Sequence, residues 1–452
     1  MKIAILGGGG VRTPIVIYGL AQAQAALGTT EVVLFDIDAG RLNVIARLGR
    51  EVLRGFDNPF EIRIETDLLR TAEGAAFVLS SIRVGGMSAR ARDERIAIEY
   101  GLAGQETTGP GGAAMALRTL PVTLAQAQAV ERVAPRAWFI NFTNPAGLIT
   151  QALTQNTSLK VIGICDTPSE LFHAIANGIG EPQSDMTFDY AGLNHLGWIR
   201  HVHLRGEEIT ERILDDTELL RQLYPADLFD PELIQTLRLI PTEYLFFYYS
   251  QRRAYQNQLR AGASRGEELS RLNAGFFEEL GRQGDSEALA SYRQYLMRRN
   301  ASYMQLEAQA GSAFGVGVGE QDPFELATGY HRIALELMQG LVSDSPREVV
   351  LNVLNGDTIA DLRWDDVVEV PCRVDRRGAR PKRAGALPDS VRGLVQSVKG
   401  YERTLIRAAL SGSSRLAELA MLEYPIIGQW ELAKEVLQAL CKGDAQFLGY
   451  LH

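Results

Sequence analysis

The chain opens on an almost unbroken apolar run, Met1-Lys2-Ile3-Ala4-Ile5-Leu6, and four glycines follow it directly, Gly7 to Gly10. A short apolar run stopped by turn residues predicts a buried parallel strand. The stretch Gly7-Gly8-Gly9-Gly10-Val11-Arg12-Thr13-Pro14 then predicts a tight turn into a helix, which Pro14 is suited to start. A second run, Glu31-Val32-Val33-Leu34-Phe35-Asp36, predicts a strand that ends in a carboxylate. Further strands followed by helical stretches are predicted from Ala76 to Ile82, from Ala137 to Pro145, and from Val161 to Cys165. Beyond roughly residue 190 the pattern changes to long helical stretches, such as Glu325 to Leu341 just after Pro323, broken by short strand-like runs.

Strand alternating with helix predicts an α/β fold whose N-terminal part, residues 1–190, is a Rossmann-type doubly wound parallel sheet. A C-terminal mixed α+β domain, residues 191–452, is expected to carry substrate contacts, catalysis and oligomerisation. Glycines let a backbone approach a pyrophosphate, which then lies at the positive end of the following helix. Gly7, Gly8, Gly9, Gly10 and Thr13 are therefore candidate cofactor-binding residues. Asp36 stands where an acidic residue meets the ribose hydroxyls of NAD, and so favours NAD over NADP. No internal repeat or low-complexity linker interrupts the pattern, and the basic stretch Arg376 to Arg383 is expected to be a solvated loop.

Composition narrows the class. The chain has 452 residues, 46% hydrophobic and 22% charged, enough for two domains with substantial cores. A formal charge of -9 argues against non-specific nucleic-acid binding, although a locally basic pocket can still hold an anionic substrate. The three cysteines, Cys165, Cys372 and Cys441, are too few and scattered for a disulfide framework, so a cytoplasmic location is expected. Neither a signal peptide nor a membrane anchor is apparent.

The candidate chemistry lies in Gly163-Ile164-Cys165-Asp166-Thr167-Pro168 and Gly192-Leu193-Asn194-His195-Leu196-Gly197-Trp198. Cys165 and Asp166 fall at the carboxyl end of a predicted parallel strand, where open α/β sheets bind ligands. A thiolate and an imidazole can together hold a divalent transition metal while leaving positions open for substrate oxygens. Taken singly, a cysteine is most often a small buried hydrophobe and a histidine a satisfied polar group. His201 and His203 alternate as on a strand and His173 falls on a predicted helix, so these three are expected to be structural.

Several further segments recur together in one known family. Arg83-Val84-Gly85-Gly86, Arg90-Ala91-Arg92-Asp93-Glu94-Arg95, Gly104-Gln105-Glu106-Thr107-Thr108-Gly109-Pro110-Gly111-Gly112 and Asn141-Phe142-Thr143-Asn144-Pro145 resemble glycoside hydrolase family 4, the NAD- and metal-dependent glycosidases. So do the Cys165 and His195 segments, Val367-Val368-Glu369-Val370-Pro371, and Tyr424-Pro425. Within the family the chain looks most like the 6-phospho-β-glucosidases. The resemblance implies a Rossmann domain like that of lactate and malate dehydrogenases, a homodimer or homotetramer, and manganese or another divalent metal held by Cys165 and His195. It implies Tyr244 as base, Arg83 as a cofactor contact, and Arg90, Asn144 and Arg265 as contacts to a phosphorylated disaccharide or glucoside. The implied reaction oxidises the sugar at C3, removes the C2 proton, eliminates the aglycone and adds water, an exception to the two-carboxylate scheme of most glycosidases.

Two departures from the family pattern matter. Gly10 stands where a serine is common, and Asp166 follows the metal cysteine where the β-specific branch often has asparagine. Aspartate there resembles the 6-phospho-α-glucosidases, in which it looks like the acid that protonates the leaving oxygen. A 6-phospho-α-glucosidase or another family 4 glycosidase is thus the nearest alternative. A 2-hydroxy-acid dehydrogenase would share the N-terminal half, but it would normally use a histidine–aspartate relay and no thiolate-bound metal. A non-catalytic NAD-binding regulator would have no need of the whole site.

Overall fold

In the computed structural model, described over residues 1–225, 228–308 and 322–452, the strands are β1 (Lys2–Leu6), β2 (Glu31–Phe35), β3 (Glu61–Glu65), β4 (Phe77–Ser80), β5 (Trp138–Asn141) and β6 (Lys160–Gly163). They continue with β7 (Met186–Leu193), β8 (Leu196–Leu204), β9 (Glu207–Glu208), β10 (Ile240–Pro241), β11 (Arg347–Leu354), β12 (Val367–Asp375) and β13 (Gly378–Pro381). The first six lie side by side in the order β3-β2-β1-β4-β5-β6, all parallel. That is the order of a dinucleotide-binding sheet, with its crevice where the order reverses between β1 and β4. Near-continuous apolar sequence suits these strands because both faces are covered; Ile3, Ala4 and Leu6 have no exposed surface.

The sheet does not end at β6. Asn352 of β11 pairs antiparallel with Gly163, and the same sheet runs on through β12, β7, β8 and β10. Parallel and antiparallel parts are therefore continuous, and residue 190 falls within β7. The register Leu193↔Leu196 closes β7 and β8 into a tight hairpin whose turn is Asn194-His195.

Two local expectations differ from the structure. The helix expected from Glu325 begins instead at Tyr330, because Gly329 takes a φ of 113°, which no helix accommodates. The basic stretch from Arg376 is a hairpin and not a loop: β13 pairs with β12, and Arg376, Arg380 and Lys382 are ion-paired with Asp344, Asp375 and Glu348. The pairing runs from Cys372↔Pro381 to Asp375↔Gly378 along the end of β12. His173 lies on the helix Thr167–Ile179, and His201 and His203 on β8, as expected.

The C-terminal helices are fastened to the N-terminal half by a buried ion network. Arg118, fully buried in the helix Gly109–Val133, reaches Asp93 and Asp444 at 2.6 Å each, and Arg92 joins Asp444 at 2.7 Å. Removing one member of a buried ion network strands the charges left behind. Arg118→Met should therefore lower stability by about 3–5 kcal/mol. Urea unfolding of the variant checks this; a loss within error of zero would show that Asp93 and Asp444 find other partners.

Candidate functional site

The glycine turn shows its requirement for glycine directly. Gly7 and Gly8 both donate to the Phe35 carbonyl, at 2.9 and 2.8 Å, drawing the turn onto the end of β2. A Cβ on Gly7, whose φ is 84°, would stand 2.4 Å from the Ser81 carbonyl oxygen, and one on Gly9 would stand 2.8 Å from Asp36 Oδ2. Gly9 N–H donates to that same oxygen at 2.9 Å. Gly10 N–H donates to Gly7 and Thr13 N–H to Gly10, which leads the chain into the helix Thr13–Gln22 with Pro14 in its first turn. All the glycines predicted to meet a cofactor, with Thr13 and Asp36, thus sit together at the carboxyl ends of β1 and β2.

Across the crevice the metal candidates follow from β6 and the β7–β8 turn. Cys165 lies just beyond β6, ahead of the helix Thr167–Ile179. His195 adopts a φ of 61°, rare for a side chain larger than glycine, and is buried. Its Nδ1 is 2.9 Å from Thr107 Oγ1. The Thr107 hydroxyl in turn donates to Gln105 Oε1 at 2.8 Å, and that oxygen also accepts the backbone N–H groups of Thr107 and Thr108. Because Thr107 gives its proton to Gln105, His195 must donate from Nδ1, which leaves the lone pair on Nε2. Burial drives the imidazole down to about 3, against the opposing pull of Glu106, so it is neutral near pH 7.

A neutral imidazole with one nitrogen tied to a hydroxyl, together with a thiol, would make a donor set suited to a divalent transition metal. Among the described residues no group of three or more His, Cys, Asp and Glu side chains converges to cage an ion. Two protein donors leave the remaining positions to oxygens from water or substrate. Burial, then Glu369 and Asp166, push the Cys165 thiol well above its ordinary value against two hydrogen bonds involving Thr167.

Tyr244 joins this pair. It lies in a 3-10 turn, Glu243–Leu245, following β10, and its ring stacks on His195 with centroids 3.6 Å apart and planes 6° apart. Burial, then the charges of Glu243, Glu106 and Cys165, push its hydroxyl well above the ordinary phenol value against a hydrogen bond with Tyr303. The Phe247 ring lies 6.4 Å from that of Tyr244, and Phe246 packs edge-on against Phe247; both are buried. Asp166 is met by Arg12 Nη1 at 3.6 Å, and the Arg12 guanidinium also covers the Tyr330 ring at 4.9 Å.

The arginines converge on a carboxylate that sequence reasoning passed over. Glu106 Oε2 lies 2.6 Å from Arg83 and 2.9 Å from Arg90. Burial alone would raise this carboxyl, but Arg83 and Arg90 overrule it and hold it at about 2. Arg83 therefore turns toward Arg90 as well as lying on the loop after β4. Glu94, which is fully buried, accepts from Arg90 Nε at 2.8 Å and from Gly266 N–H at 2.5 Å, binding the start of the helix Arg265–Leu280 to the site. Arg265 itself donates to the Arg299 carbonyl at 2.9 Å and pairs with Glu268 at 3.5 Å. Asn144 lies at the end of the turn after β5, next to a cis bond to Pro145, and is half-buried.

Two more residues support the site without a predicted role. Glu369 Oε2 accepts from Tyr190 at 2.6 Å, while its Oε1 accepts from Asn194 at 3.1 Å and Asn352 at 2.9 Å, steadying the turn that carries His195. Glu243 accepts from Thr167 Oγ1 at 3.0 Å and Tyr303 at 3.2 Å, tying the Tyr244 turn to the Cys165 loop. Burial, only partly offset by these bonds, raises its carboxyl to about 7. The spacing Arg90–Glu94 was the one sequence signal for this network, since residues four apart on a helix face each other.

Known proteins share this architecture. The model of the family 4 glycosyl hydrolases matches residues 2–181, and that of the family 4 glycosyl hydrolase C-terminal domain matches residues 190–427. A probable 6-phospho-beta-glucosidase of Bacillus subtilis is 30% identical over 99% of this chain and 97% of its own length. The structure of the 6-phospho-beta glucosidase from Thermotoga maritima with manganese, NAD+ and glucose-6-phosphate superposes with a TM-score of 0.84 at 27% identity, covering 99% of each chain. At the level of fold alone, malate dehydrogenase from Plasmodium falciparum in complex with NADH matches with a TM-score of 0.50 at 12% identity over 91% of this chain and 99% of that one. By sequence over its whole length and by the continuity of its sheet, the chain belongs to family 4 of the glycosyl hydrolases.

Proposed function

We propose that this protein hydrolyses 6-phosphorylated β-glucosides, using NAD and a divalent metal, manganese or another. The observation that carries this reading is the stacking of Tyr244 on His195, which puts a candidate base against a metal ligand at the mouth of a dinucleotide crevice. Bound NAD would take a hydride from the sugar C3 and later return it, and a bound metal would polarise the sugar's oxygens. Everything else is work for the chain's own groups. Gly7, Gly8, Gly9, Gly10 and Thr13 form the cradle for the pyrophosphate, Asp36 meets the ribose, and Arg83 lies on the loop after β4 that borders the crevice. Cys165 and His195 hold the metal, the imidazole oriented by Thr107.

Tyr244 removes the C2 proton, which is acidified once C3 is a carbonyl, and the C1 bond to the aglycone then breaks by elimination. Asp166, at the same strand end as Cys165, gives its proton to the leaving oxygen or holds a sugar hydroxyl, with Arg12 fixing its direction. Arg90, Asn144 and Arg265 grip the substrate. Residues 1–190 bind the cofactor and supply Arg90 and Asn144, and residues 191–452 bring Tyr244 and Arg265 and assemble a homodimer or homotetramer. Three free cysteines, Cys165, Cys372 and Cys441, are consistent with a cytoplasmic enzyme whose metal thiol stays reduced. Among the described residues no helix is long and apolar enough to cross a membrane.

Hydrolysis should need both NAD and a metal, so dialysis against chelator followed by desalting should silence the enzyme until both are restored. Cys165→Ser should lose most manganese affinity by titration calorimetry, since a thiolate donor is replaced by a hydroxyl. Nitrophenyl α- and β-glucosides, each with and without a 6-phosphate, test the anomer and the phosphate requirement together; faster turnover of the α-anomer would reassign the chain to the α branch.

Deuterium tests the base. Product formed in heavy water should carry deuterium at C2, because the proton leaves to an exchanging group before water adds at C1. Tyr244→Phe keeps the ring stacked on His195 but removes the base, so turnover and exchange should fall together by about 10²–10⁴-fold while NAD binding persists. Proton NMR of the released sugar phosphate reads the outcome. Rapid hydrolysis with C2 fully protonated contradicts the mechanism, and parent-like exchange in the variant places the base elsewhere.

A further inference from the structure

Arg299 stands in the last turn of the helix Asp285–Ala301, among charges of its own sign. Arg12, Arg265 and Arg90 all repel it. Among the described residues no carboxylate lies within ion-pair distance of its guanidinium, whose described hydrogen bond is a long donation from Nη1 to the Tyr295 hydroxyl at 3.4 Å. Glu106, on which its charge acts, already serves Arg83 and Arg90. Burial and these three like charges lower the Arg299 guanidinium to about 10, while Tyr295 opposes the shift. A helix C-terminus favours a nearby cation, but that preference does not require placing it beside three others. The protein thus holds an arrangement of like charges that an anion would relieve.

We propose that Arg299 is a specificity-determining residue that, beside Arg90 and Arg265, receives the phosphate monoester of a sugar 6-phosphate. The inference rests on the phosphorylated-substrate reading given above and adds a residue that neither motif nor spacing pointed to. A phosphate monoester carries close to two negative charges near neutral pH and presents three acceptor oxygens, which matches several guanidiniums better than one. Position selects the substrate over the cofactor as the source of that phosphate. Tyr292, earlier on the same helix, donates to the Val11 carbonyl of the glycine turn at 2.7 Å. Seven residues of helix carry Arg299 about 10 Å further along the axis. There its neighbours are Arg90 and Glu106, the groups that Tyr244 also senses.

The test uses the full chain with NAD and manganese, as Arg299→Met and Arg299→Lys. With nitrophenyl β-glucoside 6-phosphate, the methionine variant should show a KM raised on the order of 10–100-fold, the loss of one or two charge-assisted hydrogen bonds, and a far smaller change in kcat. Glucose 6-phosphate, followed by ³¹P NMR, should bind correspondingly less tightly, with lysine recovering part of the loss. NAD affinity should not change. In the absence of ligands the methionine variant should melt no lower than the parent, because it removes a repulsion; a residue with a merely structural role would lower it.

A fall in melting temperature with unchanged glucose 6-phosphate affinity would make Arg299 structural and overturn the proposal. Weakened NAD binding with intact glucose 6-phosphate binding would assign the guanidinium to the cofactor's phosphates and overturn it equally. Should the methionine variant fail to fold, parent-like KM and glucose 6-phosphate affinity in the lysine variant would sink the idea, since an ammonium cannot reproduce a guanidinium fork. A parent indifferent to the 6-phosphate overturns both this proposal and the reading beneath it. A parent that demands the phosphate, with a methionine variant that demands it just as strongly, overturns Arg299 alone.

Discussion

A partly buried carboxylate, Glu106, is the charge on which the arrangement of the site depends. Arg83 follows β4, Arg90 lies on the helix Gly86–Glu99, and Arg12 follows the glycine turn, so three separate elements of the N-terminal half point guanidiniums toward one region. Burying a cation is costly unless a partner is near, and Arg90 pairs with Glu94 as well as with Glu106. Glu106 holds Arg83 and Arg90 in fixed positions, and Arg299, which also acts on Glu106, adds positive charge to the region. Next to it in sequence, Thr107 orients His195. One short segment therefore sets both the electrostatics of the pocket and the tautomer of the metal ligand.

The continuous sheet explains how distant sequence positions reach that segment. A parallel sheet alone presents loops at its carboxyl edge, and these supply the cofactor turn and Cys165. His195 and Tyr244 come from antiparallel strands added beyond β6, which carry the hairpin turn and the 3-10 turn to the same edge. Glu369 joins the two parts: it sits on β12, takes hydrogen bonds from Asn352 on β11 and from Asn194 beside His195, and is itself fully buried. A polar group in that position must be satisfied, so its bonds help specify how the hairpin turn sits on the sheet.

What the sequence disclosed follows from how local each feature is. The parallel strands, the glycine turn and the start of its helix were legible because periodicity and turn chemistry are properties of a few consecutive residues. The third strand of the parallel sheet escaped notice, since Glu61 to Glu65 alternates polar with apolar at an edge and lacks the apolar run of a buried strand. Arg376 to Arg383 read as loop because their counter-charges come partly from Asp344 and Glu348, remote in the chain. Glu106, Glu243 and Glu369 were invisible as functional groups for the same reason. An acidic residue is ordinary in sequence, and only burial beside particular partners gives it a role.

The three carboxyls also show why the site cannot be read from its first contacts alone. Glu106 is held at about 2 by two arginines, whereas Glu243, with hydroxyls as its hydrogen-bond partners, is raised to about 7 by burial. Identical side chains are thereby given different charges near neutral pH within one pocket, the means by which a fold divides roles among like groups. Glu106 contributes a fixed negative charge to a cationic region. Glu243 can meet Thr167 and Tyr303 without holding a full charge among Asp166 and Glu170, which already crowd that side. The positions of Tyr244 and the Cys165 loop thus rest on a carboxyl whose burial is tolerable because its charge is incomplete, and the phosphate side rests on one whose burial is tolerable because its charge is paired.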